Sequence, residues 1–253
     1  IMFGKYFYNK NIRNIVVLFG TIFNDITIKR VKTNLSESQS FKVPIAYGPT
    51  KKYLALLDER KLGEDDVGTS ITLPRMSFEI TSMTYDGTRK LQRTKRHSTI
   101  GSDNTKLITA YTPVPYNFEI ELNVMVKNSD DGAQIIEQIM PYFSPEFHVT
   151  LNEMSTLGIK RDIPVIMNSL TTQDTYEGDF LTRRALIHTM TFTVQGFVYG
   201  PTANVGLIRE VDVNIGAQIP SPAEADLNID IKPDPLTADA DDDFGFTTTI
   251  TEV

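Results

Sequence analysis

YNFEIELNVMVKN, from Tyr116 to Asn128, decides the fold. Tyr116, Phe118, Ile120, Leu122, Val124 and Val126 take every second position, while Asn117, Glu119, Glu121, Asn123, Met125 and Lys127 take the others. Successive strand side chains point to opposite sides, so this alternation makes one apolar face and one polar face. That is the pattern of an antiparallel sheet covered on one side and wet on the other.

The next stretch, NSDDGAQIIEQIMPYFSPEF, switches to helical spacing. Ile135, Ile136, Ile139 and Met140 supply an apolar surface, and Gln134, Glu137 and Gln138 suit the wet side. A helix is expected over about Asp131 to Tyr142, packed on one face of the sheet. Asp130 or Asp131 is expected to cap it, with the other carboxylate near the positive end of the dipole. The pair also fits metal ligands or an acid–base pair, but no third or fourth oxygen ligand lies at calcium-loop spacing. Pro141 and Pro145 stiffen the exit and aim Tyr142, Phe143 and Phe147 beyond the helix end. Tyr142 and Phe143 are therefore interface candidates.

Outward from this centre, NIRNIVVLFGTIFNDI forms an amphipathic helix on Ile12, Ile15, Val16, Phe19, Ile22 and Phe23, with Asn11 as the expected N-cap. Phe3, Tyr6, Phe7 and Tyr8 precede it and are expected to pack on the body or on a neighbouring subunit. SFKVPIAYG alternates Phe41, Val43, Ile45 and Tyr47. Pro44 removes a ladder donor and marks it as an edge strand. A short helix follows in PTKKYLALLDERK, then strands at PRMSFEITSMTYD, FHVTLNEM, DIPVIMNSL and RRALIHTMTFTVQGFVY. The last carries Leu186, His188, Met190, Phe192 and Val194 on one face and is expected to bend near Gly196. Arg183 and Arg184 open it and point to opposite faces, which makes them interface candidates.

At 253 residues, 40% hydrophobic and 23% charged, the composition is that of an ordinary globular protein. No apolar run reaches the roughly 18–20 residues that span a bilayer. Met2 is the expected start, and the layout of a signal peptide is not found near it, so export is not expected. Without cysteine there are no disulfides, thiolate nucleophiles or Cys-based metal sites. His97, His148 and His188 are scattered, and His188 fits a core or half-buried histidine. Nucleophile elbows and phosphate-binding glycine loops are missing from the sequence, so no enzyme, cofactor or metal site is indicated.

The net charge of −7 is uneven. Residues 201–253 hold eleven Asp or Glu against Arg209 and Lys232, a net of −9, which leaves residues 1–200 near +2. QIPSPAEADLNIDIKPDPLTADADDD lacks the apolar content to fold alone and is expected to be extended. FGFTTTITEV regains strand character, with Phe244 and Phe246 suited to joining a neighbour's sheet edge. The expected division is an α+β core over 1–211 and an acidic, proline-rich arm over 212–253. The one basic cluster is GTRKLQRTKRHSTIGSDNTK, where Arg89, Lys90, Arg93, Lys95, Arg96 and Lys106 face Asp103. It is expected to be a mobile loop that pairs with an acidic protein surface, Asp239 to Asp243 of a neighbouring subunit being one option. Phosphate binding is the alternative, although interleaved aromatics for base stacking are lacking.

Eight blocks run in order along the chain: MFGKYFYN at Met2, ITIKR at Ile26, KVPIAYG at Lys42, TLPRMSF at Thr72, YNFEIELNVMVKNSDDGAQIIEQIMPYFSPEF at Tyr116, IKRDIPVIMNS at Ile159, LTRRALIHTMTFTVQGFVYGP at Leu181 and GLIRE at Gly206. Together they resemble the tail sheath stabiliser, or tail completion, family of T-even-type contractile-tailed bacteriophages. The resemblance implies a non-enzymatic virion protein, assembled in the host cytoplasm, that forms a hexameric ring on the finished tail. Its implied partners are further copies of itself, the tail sheath protein, the tube-terminating protein and the neck proteins of the head, with no small-molecule substrate and no membrane. The alternative is a nucleic-acid-binding protein acting through residues 87–106.

The expected architecture is therefore α+β: a mostly antiparallel sheet, one or two flanking helices and an extended acidic C-terminal arm.

Overall fold

A computed structural model of the chain describes residues 6–31, 38–58, 73–101, 106–175, 185–206, 208, 210–216, 227–238 and 242–252. The first elements are α1 (Asn11–Ile22), β1 (Thr27–Val31), β2 (Ser38–Lys42), β3 (Ile45–Tyr47), α2 (Thr50–Asp58), β4 (Arg75–Tyr85), β5 (Arg96–Ile100) and β6 (Lys106–Tyr111). Then come β7 (Val114–Val126), α3 (Ser129–Ile139) with a 3-10 turn at Met140–Tyr142, β8 (Glu146–Met154), β9 (Ile159–Thr175) and β10 (Ala185–Val198). The last four strands are β11 (Thr202–Gly206), β12 (Val211–Ile215), β13 (Leu227–Asp234) and β14 (Gly245–Glu252). The chain divides into two compact units: Tyr8–Leu91 with Pro113–Tyr199, and Ile1–Phe7 with Gln92–Thr112 and Gly200–Val253. The class is α+β, as the alternating and helical patterns imply.

The larger unit is built on a six-stranded sheet in the order β3-β4-β7-β10-β9-β8. All its pairings are antiparallel except β3 with β4. Strand β7 lies inside it, and Phe118, Ile120, Leu122, Val124 and Val126 are all buried on one face. Helices α1 and α3 cover that face. Phe19 of α1 meets Phe78 at 5.2 Å and Phe192 at 5.3 Å, a contact geometry that adds to simple burial. Burying one such ring stabilises the fold by about 1.5–3 kcal/mol.

Several local expectations change in the folded chain. Lys10, in the left-handed region at φ 59°, takes the cap position of α1; Asn11 is the first helical residue, and its Nδ2 donates to the Glu153 carbonyl at 3.2 Å. The buried stripe of α1 is Ile15, Leu18 and Phe19, while Ile12 is exposed. The SFKVPIAYG segment splits at Val43 and Pro44 into β2, in a two-stranded sheet with β1, and β3, at the edge of the large sheet. In β4 a bulge between Ile80 and Ser82 shifts the register, so Met83 and Tyr85 pair with Phe118 and Tyr116 in place of continued alternation through Ser82.

Met125, expected on the wet face, is fully buried because α2 packs there: Tyr53, Met125 and Ile187 form a small second core. Strand β10, expected to bend near Gly196, runs through that residue with its β7 ladder unbroken. A Cβ at Gly196 would stand 2.8 Å from Ile15 Cδ1 and 2.9 Å from Phe118 Cε2, so this glycine lets α1 approach the sheet.

The smaller unit holds two three-stranded antiparallel sheets, β11-β6-β5 and β12-β13-β14. Residues 227–234, inside the stretch expected to be extended, are the central strand of the second. Composition hid a period of two: Val211, Val213 and Ile215 stand beside Ile231, Ile229 and Leu227, and Ile229 beside Ile250. Asp212, Asp230 and Thr249 line up on the opposite face.

Candidate assembly interface

The two aspartates that begin α3 have unequal surroundings. Asp131 is 1% exposed and holds the Arg30 guanidinium in a two-point pair, through Nε at 3.1 Å and through Nη2. The Arg30 guanidinium also lies 4.8 Å from the Phe41 ring centre. Asp130 is exposed and accepts from Gln134 Nε2 at 2.9 Å. Neither carboxylate caps the helix: the cap residue is Asn128, and it makes no side-chain cap bond. Asp131 instead ties α3 to β1.

Gln134 and Gln138, expected on the wet side, tie the same two elements. Gln134 Oε1 accepts from the Lys29 amide at 3.0 Å while its Nε2 donates to the Lys29 carbonyl at 3.1 Å. Gln138 treats Thr27 likewise, donating to its carbonyl at 2.9 Å and accepting from its amide at 3.5 Å. A helical step of four residues and a strand step of two both advance about 6–7 Å, so two glutamines i, i+4 can serve alternate residues of a strand edge. The side chains of α3 thus stand where a further strand would pair with β1.

Beneath the first turn of α3 lies His188. Its Nδ1 pairs with Thr172 Oγ1 at 2.9 Å, and its Nε2 is buried without a hydrogen-bond partner. Burial lowers its pKa, favouring the neutral ring. A Cβ on Gly132 would strike Nε2, so Gly132 is where helix and histidine fit together.

A second buried network escaped the sequence reading. Glu153, 2% exposed, accepts from Tyr199 Oη at 2.8 Å and faces Arg161 Nε at 3.3 Å. Arg161 lies over the Phe197 ring at 4.0 Å, with Arg89 also over that ring at 5.1 Å. Burial raises the Glu153 carboxyl, and burial together with Glu153 raises the Tyr199 hydroxyl. The available sequence signal was an acid next to apolar Met154 at a strand end. Its partners lie 8 and 46 residues away. Among the described residues no three His, Asp or Glu side chains are grouped as a metal site, and no helix is long and apolar enough to cross a membrane.

The interface candidates fall into separate places. Phe143 turns inward, 5.2 Å from Phe192 and stacked at 6.2 Å on Phe23, whereas Tyr142 is 69% exposed. Tyr142 rims a groove of about 530 Å³ between the ends of α1 and α3. Arg183 and Arg184 lie outside the described residues.

In the basic segment, expected to be a loop, residues 87–95 are turns and irregular chain, and Arg96–Ile100 is strand β5. Arg89 pairs with Asp86 at 2.7 Å and donates to the Tyr116 and Gln195 carbonyls and to Asn117 Oδ1. Arg96 begins β5. It donates to Tyr111 Oη at 2.8 Å and lies 4.8 Å over that ring, so pairing with β6 supplies the aromatic that the linear sequence lacks. Arg93 and Lys95 are exposed, and no ion pair joins either to a described residue.

Phe244 and Phe246 are exposed, Phe246 at 74%, beside the exposed Val211, Val213, Ile215 and Ile250 of the β12-β13-β14 sheet. Every residue of β14 is exposed, and among the described residues it pairs only with β13. Such a sheet presents an apolar face and an open edge, the materials of a contact between chains.

Comparison with known proteins bears on this arrangement. Residues 6–253 match the family described as the T4-like virus Myoviridae tail sheath stabiliser. The chain is also 32% identical over 215 residues to the tail completion protein gp15 of Enterobacteria phage T4, a match spanning 82% of this chain and 77% of that protein.

Proposed function

The chain belongs to the tail sheath stabiliser family of T4-like Myoviridae, and from that premise we propose that six copies form a ring on the completed contractile tail. The ring caps the tube and sheath, holds the last sheath layer through contacts with the sheath and tube-terminating proteins, and offers its other side to the neck proteins of the head. It acts at the tail–neck junction after assembly in the host cytoplasm, by binding and not by catalysis. Residues 212–253 are the part that reaches a neighbouring copy, and residues 1–211 are the body.

One observation carries this reading: the open edge and exposed apolar residues of the β12-β13-β14 sheet, in a chain whose family works by assembly. A sheet of three short strands with one bare face is marginal by itself, and association supplies the missing burial.

The test is loss and restoration of the protein during infection, read by electron microscopy. Without it, tails are expected to lose sheath and to remain separate from filled heads, and expression in trans restores both. Intact, head-joined tails in its absence would refute the reading. Light scattering on the purified protein tests the hexamer directly.

A further inference from the structure

The two small sheets each leave edges unpaired, and those edges carry opposite charge. In β11-β6-β5 the open edge strand at the basic end is β5, with Arg93, Lys95 and Arg96 at its start. In β12-β13-β14 the open edge strand at the C-terminal end is β14, with Asp243 shortly before it and Glu252 as its last residue. Its sheet also carries Glu210, Asp212, Asp230 and Asp234 against Lys232. Within the chain β5 and β14 are not paired with each other.

Natural sheets protect exposed edges with prolines, bulges, inward charges or a covering element. Strand β14 has none of these from Gly245 to Thr251: the run is GFTTTIT, its register with β13 is continuous, and all of it is exposed. The other edge of the same sheet, β12, carries Asp212 within its five residues, and β11 ends in Gly206. An edge left flat and uncharged over seven residues is suited to receive a strand.

We propose that β14 of one copy pairs with β5 of the next, joining the two small sheets of neighbouring subunits into one continuous sheet. This rests on the ring reading above and specifies its contact. Charge selects the partner strand. Two β14 edges brought together would oppose Asp243 and Glu252 to their own kind, and two β5 edges would oppose Arg93, Lys95 and Arg96 to theirs. Pairing β14 with β5 places unlike charges together. The contact uses different surfaces on its two sides, so it repeats from copy to copy instead of stopping at a pair, as a ring requires.

Because the chain has no cysteine, the contact can be trapped cleanly. Ser98→Cys in β5 is combined with Thr248→Cys or with Thr249→Cys in β14. Side chains alternate between faces, so one of these two stands on the same side as residue 98. Neighbouring positions 247 and 251 cover a shift in register. Under mild oxidation the double variants are expected to form disulfide-linked ladders up to the ring size, and the single variants are expected to form at most dimers. Arg93→Glu with Lys95→Glu is expected to weaken assembly about tenfold, and Asp243→Lys with Glu252→Lys in the same chain is expected to restore it. A ring seen by light scattering in which no cysteine combination links copies would overturn the contact while leaving the ring in place. A chain that stays monomeric at all concentrations would overturn both. Charge-reversed protein that keeps its ring but loses salt-dependent retention on duplex DNA would assign the basic edge to nucleic acid and overturn the pairing.

Discussion

Replacing Gln134 with glutamate tests whether α3 is held by side-chain pairing to β1. Glutamate has the same length and a similar helix propensity, so on a simply solvated helix face the change is close to neutral. In the folded chain it is not. The Nε2 group donates to the Lys29 carbonyl at 3.1 Å and to Asp130 Oδ2 at 2.9 Å. A carboxylate there faces a carbonyl oxygen and another carboxylate with no proton to offer. The exchange loses two hydrogen bonds, about 0.5–1.5 kcal/mol each at ordinary worth and toward the low end at a solvent-accessible site. It also adds a like-charge pair four residues apart, about 0.2–0.5 kcal/mol. The expected cost is about 1–2 kcal/mol, similar to that of Gln134→Ala, which adds no repulsion but also loses the bond that Oε1 accepts from the Lys29 amide.

The assay is hydrogen exchange at the Lys29 amide, whose acceptor is Gln134 Oε1, supported by urea midpoints. A local probe is the right one because the chain folds in two compact units. The defect has a pH signature. The introduced carboxyl is favoured protonated in the folded state, so its folded pKa lies above the unfolded value of about 4.3. The variant is then close to the native protein below that pH and loses stability as pH rises through the folded pKa. Equal midpoints for the glutamate, alanine and native proteins at pH 7, or Lys29 protection unchanged in Gln134→Ala, which removes its acceptor, would refute the side-chain pairing.

Gly132→Ala drives a methyl group into His188 Nε2 and is expected to cost about 1–3 kcal/mol; combined with His188→Ala, a double-mutant cycle should return most of that cost, and strict additivity would show that the two do not meet. Glu153→Gln keeps an acceptor for Tyr199 Oη while removing a carboxyl whose pKa burial raises. A raised carboxyl binds its proton more tightly in the folded state, so native stability should fall as pH rises from about 4.5 through the raised value, and urea midpoints of the variant should lack that slope. Gly196→Ala crowds Ile15 and Phe118; a drop of about 1–3 kcal/mol is expected, and an unchanged thermal midpoint would show that α1 has room to move away.

The sequence alone was enough wherever the signal is local and periodic. The six-step alternation around Ile120 reaches the structure as a strand with its apolar face buried, and the helical spacing of Ile135 and Ile139 reaches it as α3, because a strand or helix face is set by neighbours two to four positions away. At the C-terminus the strand character read in FGFTTTITEV reaches the structure as β14, and the same periodicity was present in 211–215 and 227–231. There the many prolines and aspartates of the intervening segments outweighed it, and composition was a poorer guide than alternation. The family, too, was legible, since its blocks are linear.

What the tertiary structure alone decided is the work done by polar side chains. Asp131, Gln134 and Gln138 suit a solvated helix start in one dimension, and become the fastening of α3 only when β1, about a hundred residues earlier, presents Arg30 and the edge groups of Thr27 and Lys29. Glu153 gains its place from Tyr199 and Arg161 in the same way. An apolar residue is buried almost wherever its face is covered, so its fate follows from pattern. A polar residue is buried or bound only where a matching donor or acceptor stands about 3 Å away, and that match depends on segments brought together by the whole fold.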